Sequence, residues 1–310
     1  MNLLKSGLFA TLLIFQFSIF AQNTAEQLGY PADSKLLIIH ADDAGVSHSE
    51  NAATIKSIET GYVNSSSIMV PCPWFPEIAE YAKRNKEKTD FGLHLTVTSE
   101  WKNYKWGPVT SKDSVSGLVN ERGYLYSAVD SVIQSASPEE VEREIRNQVE
   151  KAYQFGIDVT HLDAHMGGVM STPEFLEAYV KVGREYELPV LLSNEIPHLQ
   201  QVGDKMNFTE KEVIVDYMYQ ANPEYYKNGM AKFYTDMLNN LQPGLSCLLI
   251  HIAYSNEEMR AVTIDHPSWG AEWRQADFDF FTSDACKKLL SDNNIQLVTW
   301  KEIRDKIVRK

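Results

Sequence analysis

The sequence predicts an α/β fold, a distorted or incomplete (β/α) barrel of about seven parallel strands with outer helices. Short apolar runs alternate with longer helical patterns along the chain, the order that βαβ units and a parallel sheet require. No Pro/Gly/Ser-rich linker and no internal repeat interrupts residues 22–310, so they read as one domain of ordinary α/β-barrel size. Most of the informative polar residues also fall at the carboxyl end of an apolar run, the edge at which parallel α/β folds build their sites.

The chain opens on an address. Lys5 is the only charge before the apolar run Leu8 to Phe20, and the small residues Ser18 and Ala21 mark a cleavage site. This predicts a signal peptide over residues 1–21 and an exported protein, periplasmic or secreted. Gln16 interrupts the run, which falls short of the roughly 20 apolar residues that a spanning helix needs. With no Cys near the cleavage site, no stable membrane anchor is expected.

Lys35 to Ala41 is the first buried-strand candidate, followed by a helix from about Ser47 to Thr60. Ser66 to Val70 comes next, then a helix over Phe75 to Asn85, then the strand Phe91 to Val97. A long irregular stretch from Ser99 to Ser135 follows; such insertions in compact domains are usually functional or mobile. Ser137-Pro138-Glu139-Glu140 opens the clearest helix, with an N-cap Ser, Pro at the first position and acidic residues in the first turn. It runs to about Phe155 and stops at Gly156. Val159 to Asp163 is the fourth strand, followed by a helix over Thr172 to Tyr186. Pro189 to Ser193, Leu245 to Ile252 and Gln296 to Trp300 complete the strand set.

Composition narrows the functions. The 310 residues are 44% hydrophobic and 23% charged, which excludes a disordered chain and a polytopic membrane protein. Lys and Arg number 29 against 42 Asp and Glu, a net charge of −13 that offers no basic field for nucleic acid. Cys72, Cys247 and Cys286 permit at most one internal disulfide, and Cys247 sits in an apolar run as a small buried hydrophobe. Oligomeric state is left open, a homodimer included.

Asp42-Asp43 ends the first strand, His94 lies in the third, His161, Asp163 and His165 end the fourth, and His251 ends the sixth. Two adjacent carboxylates behind four apolar residues are costly unless something compensates them, and a divalent cation is the simplest compensation. One Asp with two His makes a three-ligand site with open positions for water and substrate. Neighbouring strand residues point to opposite sides. That predicts divided roles, one Asp on the metal and the other taking a proton from the attacking water.

His40-Ala41-Asp42-Asp43-Ala44-Gly45, Gly92-Leu93-His94-Leu95 and Thr160-His161-Leu162-Asp163-Ala164-His165, in that order, resemble the three signatures of the YdjC-like carbohydrate deacetylases, relatives of the polysaccharide deacetylases. The resemblance runs from about Leu36 to Asp305. It implies a metal-dependent hydrolase that removes acetyl groups from N-acetylated amino-sugar oligosaccharides, often chito-oligosaccharides. By motif position it makes Asp42 the general base and Asp43, His94 and His165 the ligands of one divalent ion, zinc or magnesium. His251 in Leu249-Ile250-His251 matches the late family histidine and becomes the general acid. On the residues themselves, His161 competes with His165 as the ligand or else hydrogen-bonds a neighbour, and Asp163 orients a liganding histidine. The chain departs from the family pattern at His40, Ala44, Met166-Gly167-Gly168 and Ile252-Ala253.

Other readings compete. A carbohydrate-binding protein could keep the fold without catalysis, although binding alone needs no second carboxylate. Two His and one carboxylate also describe non-haem iron oxygenases, and His161-x-Asp163 matches their spacing, but those enzymes are usually antiparallel β proteins. Trp74, Trp101, Tyr104, Trp106, Trp269 and Trp273 lie in or beside loops, where they either stack on sugar rings or pack beneath the loops. His48, His198 and His266 read as solvated.

Overall fold

The computed structural model describes residues 23–60 and 62–310, so the signal peptide expected over residues 1–21 lies outside the described residues. Among the described residues nine strands form: β1 (Lys35–Ala44), β2 (Ser65–Ile68), β3 (Phe91–Leu95), β4 (Leu162–Ala164), β5 (Leu192–Ser193), β6 (Ile214–Val215), β7 (Tyr217–Gln220), β8 (Gly244–His251) and β9 (Ile295–Leu297). The main sheet runs β4-β3-β2-β1-β8-β7, every pairing parallel. β1 is its centre. β8 follows one edge of β1 from Lys35 to Asp42, while the other edge is shared between β9 at Lys35–Leu37 and β2 at His40–Ala44. A bridge from Leu162 to Val190 leads on to the β5–β6 pair. The sheet curls into a half-barrel with helices around it, a distorted (β/α) barrel.

Alternation along β1 sets the two layers. Leu37, Ile39 and Ala41 pack outward against Met230, Tyr234 and Phe281 of the helices Met230–Asn239 and Ala271–Phe281. Leu36 and Ile38 face the inside of the curl, where Leu191, Val215, Leu245, Cys247 and Trp300 join them. The next two residues of that inner row are His40 and Asp42. The barrel interior is therefore apolar at its floor and polar above it.

The predicted helices form close to their expected bounds. Ser137 and Glu140 make the reciprocal capping bonds at the start of Pro138–Gln154, and Gly156 follows it at φ +84°. Gln296 to Trp300 is a strand only at its start. Thr299 and Glu302 form a second capping box, which turns Trp300–Ile303 into a helix. The short strands β6 and β7 were not expected; β7 is an edge strand with Tyr217 exposed, and its apolar signal is weak.

The stretch 99–135 is packed. It holds two 3-10 turns, a Val119–Leu125 bridge and the helix Val129–Ser135, with Trp106, Val115, Leu118, Leu125 and Val132 buried beneath them. Cys72, Cys247 and Cys286 are buried and free, so no disulfide forms among them. Among the described residues no helix is long and apolar enough to cross a membrane.

Candidate active site

The inner rows of five strands converge above the apolar floor. β1 brings His40 and Asp42, β2 Ser65 and Ser67, β3 His94, β4 Asp163 with His165 just beyond it, and β8 His251, paired in register with Asp42. Asp43 breaks the alternation. The β1–β2 register shifts between Ala41 and Ala44, and Asp43 sits at φ +68°. This bulge turns Asp43 towards the same side as Asp42, so the expectation that the two point to opposite sides is corrected. Both carboxylates lie within 4.0 Å of the His94 ring, Asp42 Oδ1 at 4.0 Å from Nδ1 and Asp43 Oδ1 at 3.4 Å from Nε2.

One donor atom from each of Asp43, His94 and His165 lies within 4.8 Å of the others. In each case the other polar atom is held from outside. Arg274 Nη2 donates to Asp43 Oδ2 at 2.7 Å, Asp163 Oδ1 meets His94 Nδ1 at 2.9 Å, and Glu100 Oε2 meets His165 Nε2 at 3.0 Å. What remains faces a common centre: Asp43 Oδ1, His94 Nε2 and His165 Nδ1, with Asp43 Oδ1 3.4 Å from each ring nitrogen. Asp43 Oδ1 is buried without a hydrogen-bond donor. A buried carboxylate oxygen left in that state fits a cation.

Two other clusters come as close, His40–His161–Asp163 and Asp42–His94–Asp163. In both, the Asp163 oxygens are engaged, Oδ2 by His40 and Oδ1 by His94, while His161 Nε2 and Asp42 Oδ1 are left without a hydrogen-bond partner. His40 Nδ1 meets Ser65 Oγ at 2.9 Å, its Nε2 meets Asp163 Oδ2 at 2.9 Å, and Ser67 Oγ donates to the same oxygen. With both Asp163 oxygens taken, the His161-x-Asp163 pair offers one free donor atom, His161 Nε2, and no open ligand set of the iron-oxygenase kind.

Charge balance agrees with the geometry. Burial alone would depress His165, but Glu100 and Asp43 outweigh it and hold the ring up at about 10. His94 is raised in the same way against burial, by Asp163 and Asp42. Burial would raise Asp43, yet Arg274 and His165 hold it well below the usual carboxylate range. Without a cation, the carboxylates draw protons onto the histidines; a bound ion would take the place of those protons.

His251 Nε2 stands 3.8 Å from Asp42 Oδ2 and 4.0 Å from Asp43 Oδ2. Burial outweighs both carboxylates and lowers this ring to about 4, so it is neutral near pH 7. Its backbone N–H donates to Asp277 Oδ2 at 3.0 Å. Asp42 Oδ1 is a second buried oxygen without a donor, although His40 Nε2 is 3.2 Å away. His40 itself is raised to about 10 despite burial, because Asp163 and Asp42 flank it.

His161 is not a partner of any of the three. Its Nδ1 meets Thr160 Oγ1 at 2.9 Å, its ring stacks on Trp300 at 5.4 Å, and it meets His40 edge-on at 4.9 Å. It fills the space that Gly92 leaves open: a Cβ there would sit 2.4 Å from the His161 ring. Its role is packing one level below the proposed ligands.

Glu50, Glu100 and Arg274 escaped the sequence reading. Arg274 joins Glu50, through two contacts of 2.9 Å, to Asp43, and all three are buried. Ser47-x-x-Glu50 reads as an ordinary capping box, and Ser47 Oγ does accept from Glu50 N–H, but the carboxylate turns to Arg274. Nothing in Ala271-Glu272-Trp273-Arg274 marks the arginine. Of the loop aromatics, Trp101, Trp106 and Trp273 are buried and closed to a ligand, whereas Trp74 is 38% exposed beside His48.

The model of the YdjC-like protein family matches residues 36–292. The carbohydrate deacetylase of Thermus thermophilus is 30% identical over 291 residues, covering 90% of this chain and 97% of its own. That of Thermoanaerobacter pseudethanolicus is 25% identical over 275 residues, 86% of this chain and 98% of its own. A solved structure from Enterococcus faecalis V583, provisionally described as a cellobiose-phosphate cleavage protein, has the same fold. Its TM-score is 0.73 at 21% identity, over 87% of this chain and 99% of that one.

Proposed function

The chain belongs to the YdjC-like family, and from that premise we propose that it is an exported, metal-dependent carbohydrate deacetylase. It hydrolyses an amide C–N bond, the acetamide of an N-acetylated amino-sugar oligosaccharide of the chito-oligosaccharide kind, and releases acetate. One observation carries the reading. Asp43, His94 and His165 each keep one unshared donor atom on a common centre, and Asp42 and His251 stand beside it.

In this reading Asp43 Oδ1, His94 Nε2 and His165 Nδ1 hold one divalent ion; two imidazoles favour zinc, and magnesium is the alternative. When bound, the ion supplies an electrophile for the acetyl oxygen and acidifies a water. Asp42 accepts the proton of the attacking water. His251 Nε2 gives a proton to the departing nitrogen. Because His251 is neutral near pH 7, the proton it delivers is the one that Asp42 has collected, passed across the 3.8 Å between Asp42 Oδ2 and Nε2. The products, acetic acid and a free amine, then balance one amide and one water, and at neutral pH the acid's proton passes to the amine to leave acetate and an ammonium. A second buried carboxylate, its Asp42 Oδ1 left without a hydrogen-bond donor, also favours catalysis over mere sugar binding, since binding alone needs no such costly group.

Export rests on residues 1–21. Asn23 caps the first helix, Thr24–Leu28, and cleavage after Ala21 leaves that cap intact. The test is acetate release, followed by mass spectrometry over a panel of N-acetylated oligosaccharides. Enzyme shown to be metal-free by elemental analysis should be inactive and recover with one divalent metal; full activity without metal would overturn the reading. The mature N-terminus should be Gln22, and an intact Met1 on native protein would refute export.

A further inference from the structure

We propose that Glu100 is a positioning residue of this centre, and that it makes His165 ligate through Nδ1 while His94 ligates through Nε2. The inference rests on the ligand set proposed above. A neutral imidazole carries one proton, and a carboxylate beside one ring nitrogen draws it there, leaving the lone pair on the other nitrogen. Asp163 does this at His94 Nδ1, at 2.9 Å, and Glu100 does it at His165 Nε2, at 3.0 Å. The two rings meet edge to face at 5.1 Å, so each presents the opposite nitrogen to Asp43 Oδ1.

The backbone gives the reason for the difference. His94 lies within β3 and reaches the centre with the far end of its ring. His165 is the first residue past β4, and Met166 at φ +52° and Gly167 at φ +67° turn the chain sharply after it. The ring's near nitrogen therefore faces the centre and its far nitrogen faces Glu100.

Glu100 is not a casual neighbour. The 99–135 insertion fastens the segment that carries it: Ser99 N–H donates to the Tyr126 carbonyl at 2.7 Å, Trp106 N–H to Ser99 Oγ at 3.1 Å, and Trp106 Nε1 to the Thr98 carbonyl at 2.8 Å. Lys105 Nζ adds a bond of 2.6 Å to the Ser99 carbonyl. The next residue, Trp101, lies under the Arg274 guanidinium at 5.5 Å, and Arg274 holds Asp43 Oδ2. Glu100-Trp101 thus backs two of the three ligands, and the insertion serves to hold that dipeptide in place.

The test uses the full mature protein. Long-range 1H–15N correlation of the imidazoles, before and after zinc is added to metal-free protein, identifies the ligating nitrogens directly. The expected result is a zinc-shifted Nδ1 with a retained Nε2–H on His165, and the reverse on His94. Zinc affinity by chelator competition should fall about 10–100-fold in Glu100→Ala and less in Glu100→Gln, whose amide oxygen still accepts. Denaturation midpoints of the metal-free variants separate this loss from general destabilisation. Ligation of His165 through Nε2, or wild-type affinity in Glu100→Ala, would overturn the inference and leave the ligand set standing. If zinc shifts neither ring, the ligand set falls and the inference with it.

Discussion

Asp42 and Asp43 are neighbours in the chain with the same side chain, and the bulge at Asp43 brings both to one centre without making them equivalent. Arg274 grips only Asp43, and His251 lies nearer Asp42. Asp42→Asn should therefore keep its metal while turnover falls roughly 10²–10⁴-fold, the usual worth of a general base. Asp43→Asn should lose metal and recover some activity in excess metal. Metal content and turnover of the two variants decide the matter; the opposite pattern would move the base to Asp43. His161→Ala, by contrast, should leave metal affinity nearly unchanged, since its ring touches no proposed ligand. Its constraint is on Gly92, where an added methyl must displace a ring fixed between Trp300 and His40. Gly92→Ala should cost about 1–3 kcal/mol by overpacking. In the His161→Ala background that cost should largely vanish, and a double-mutant cycle in urea would expose independence of the two sites. The Gly-Leu-His motif was legible in the sequence as a pattern, but the reason for its glycine lies 69 residues away in His161.

At the scale of elements, what could be read was local and what could not be read was tertiary. Ser137-Pro138-Glu139-Glu140 fixes a helix start from four adjacent residues, and the capping box forms as those residues dictate. Ser137→Ala should cost about 1 kcal/mol, seen as a lower urea midpoint with unchanged slope. Farther along the same helix, Gln148 reads as one more polar residue. In the fold it is buried, taking the Thr96 N–H at 3.0 Å and donating to the Thr96 carbonyl at 2.7 Å. It does for the chain leaving β3 what another strand would do, and so holds the approach to Glu100. Gln148→Leu strands two buried backbone groups, each worth about 1–3 kcal/mol, so it should destabilise more than Ser137→Ala. Equal or smaller destabilisation would show that water satisfies Thr96 instead. Amide spacing gives no hint of such a brace, because its partner is chosen by the curl of the sheet.

At the scale of the whole molecule, strand–helix alternation announced the parallel sheet, while the way the curl is tied together was hidden. β6 is too short and β7 too exposed to signal themselves, and the join between the chain end and the segment before β4 runs through Arg304, with Lys301 and the Trp300–His161 stack beside it. Arg304 donates from Nη1 to Asp158 Oδ1 at 2.6 Å and to the Val159 carbonyl at 2.8 Å, and from Nη2 to Asp158 Oδ2 at 3.2 Å. Burial would raise Asp158, but the hydrogen bonds and charge of Arg304, with Lys301 behind them, lower it below its ordinary value. A carboxyl depressed in the folded state binds its proton more readily in the unfolded chain. The tie is therefore fully present above the unfolded value of about 3.9 and is lost as pH falls through the depressed folded value. The Asp158 side chain is 33% exposed, so screening keeps its worth to about 1 kcal/mol or less. Asp158→Asn should lower the thermal midpoint at pH 7 by a few degrees at most, and the gap to wild type should close as both are titrated below pH 4. A gap that stays constant down to the acid limit of folding would place the stabilisation in the packing of Asp158 and not in its charge.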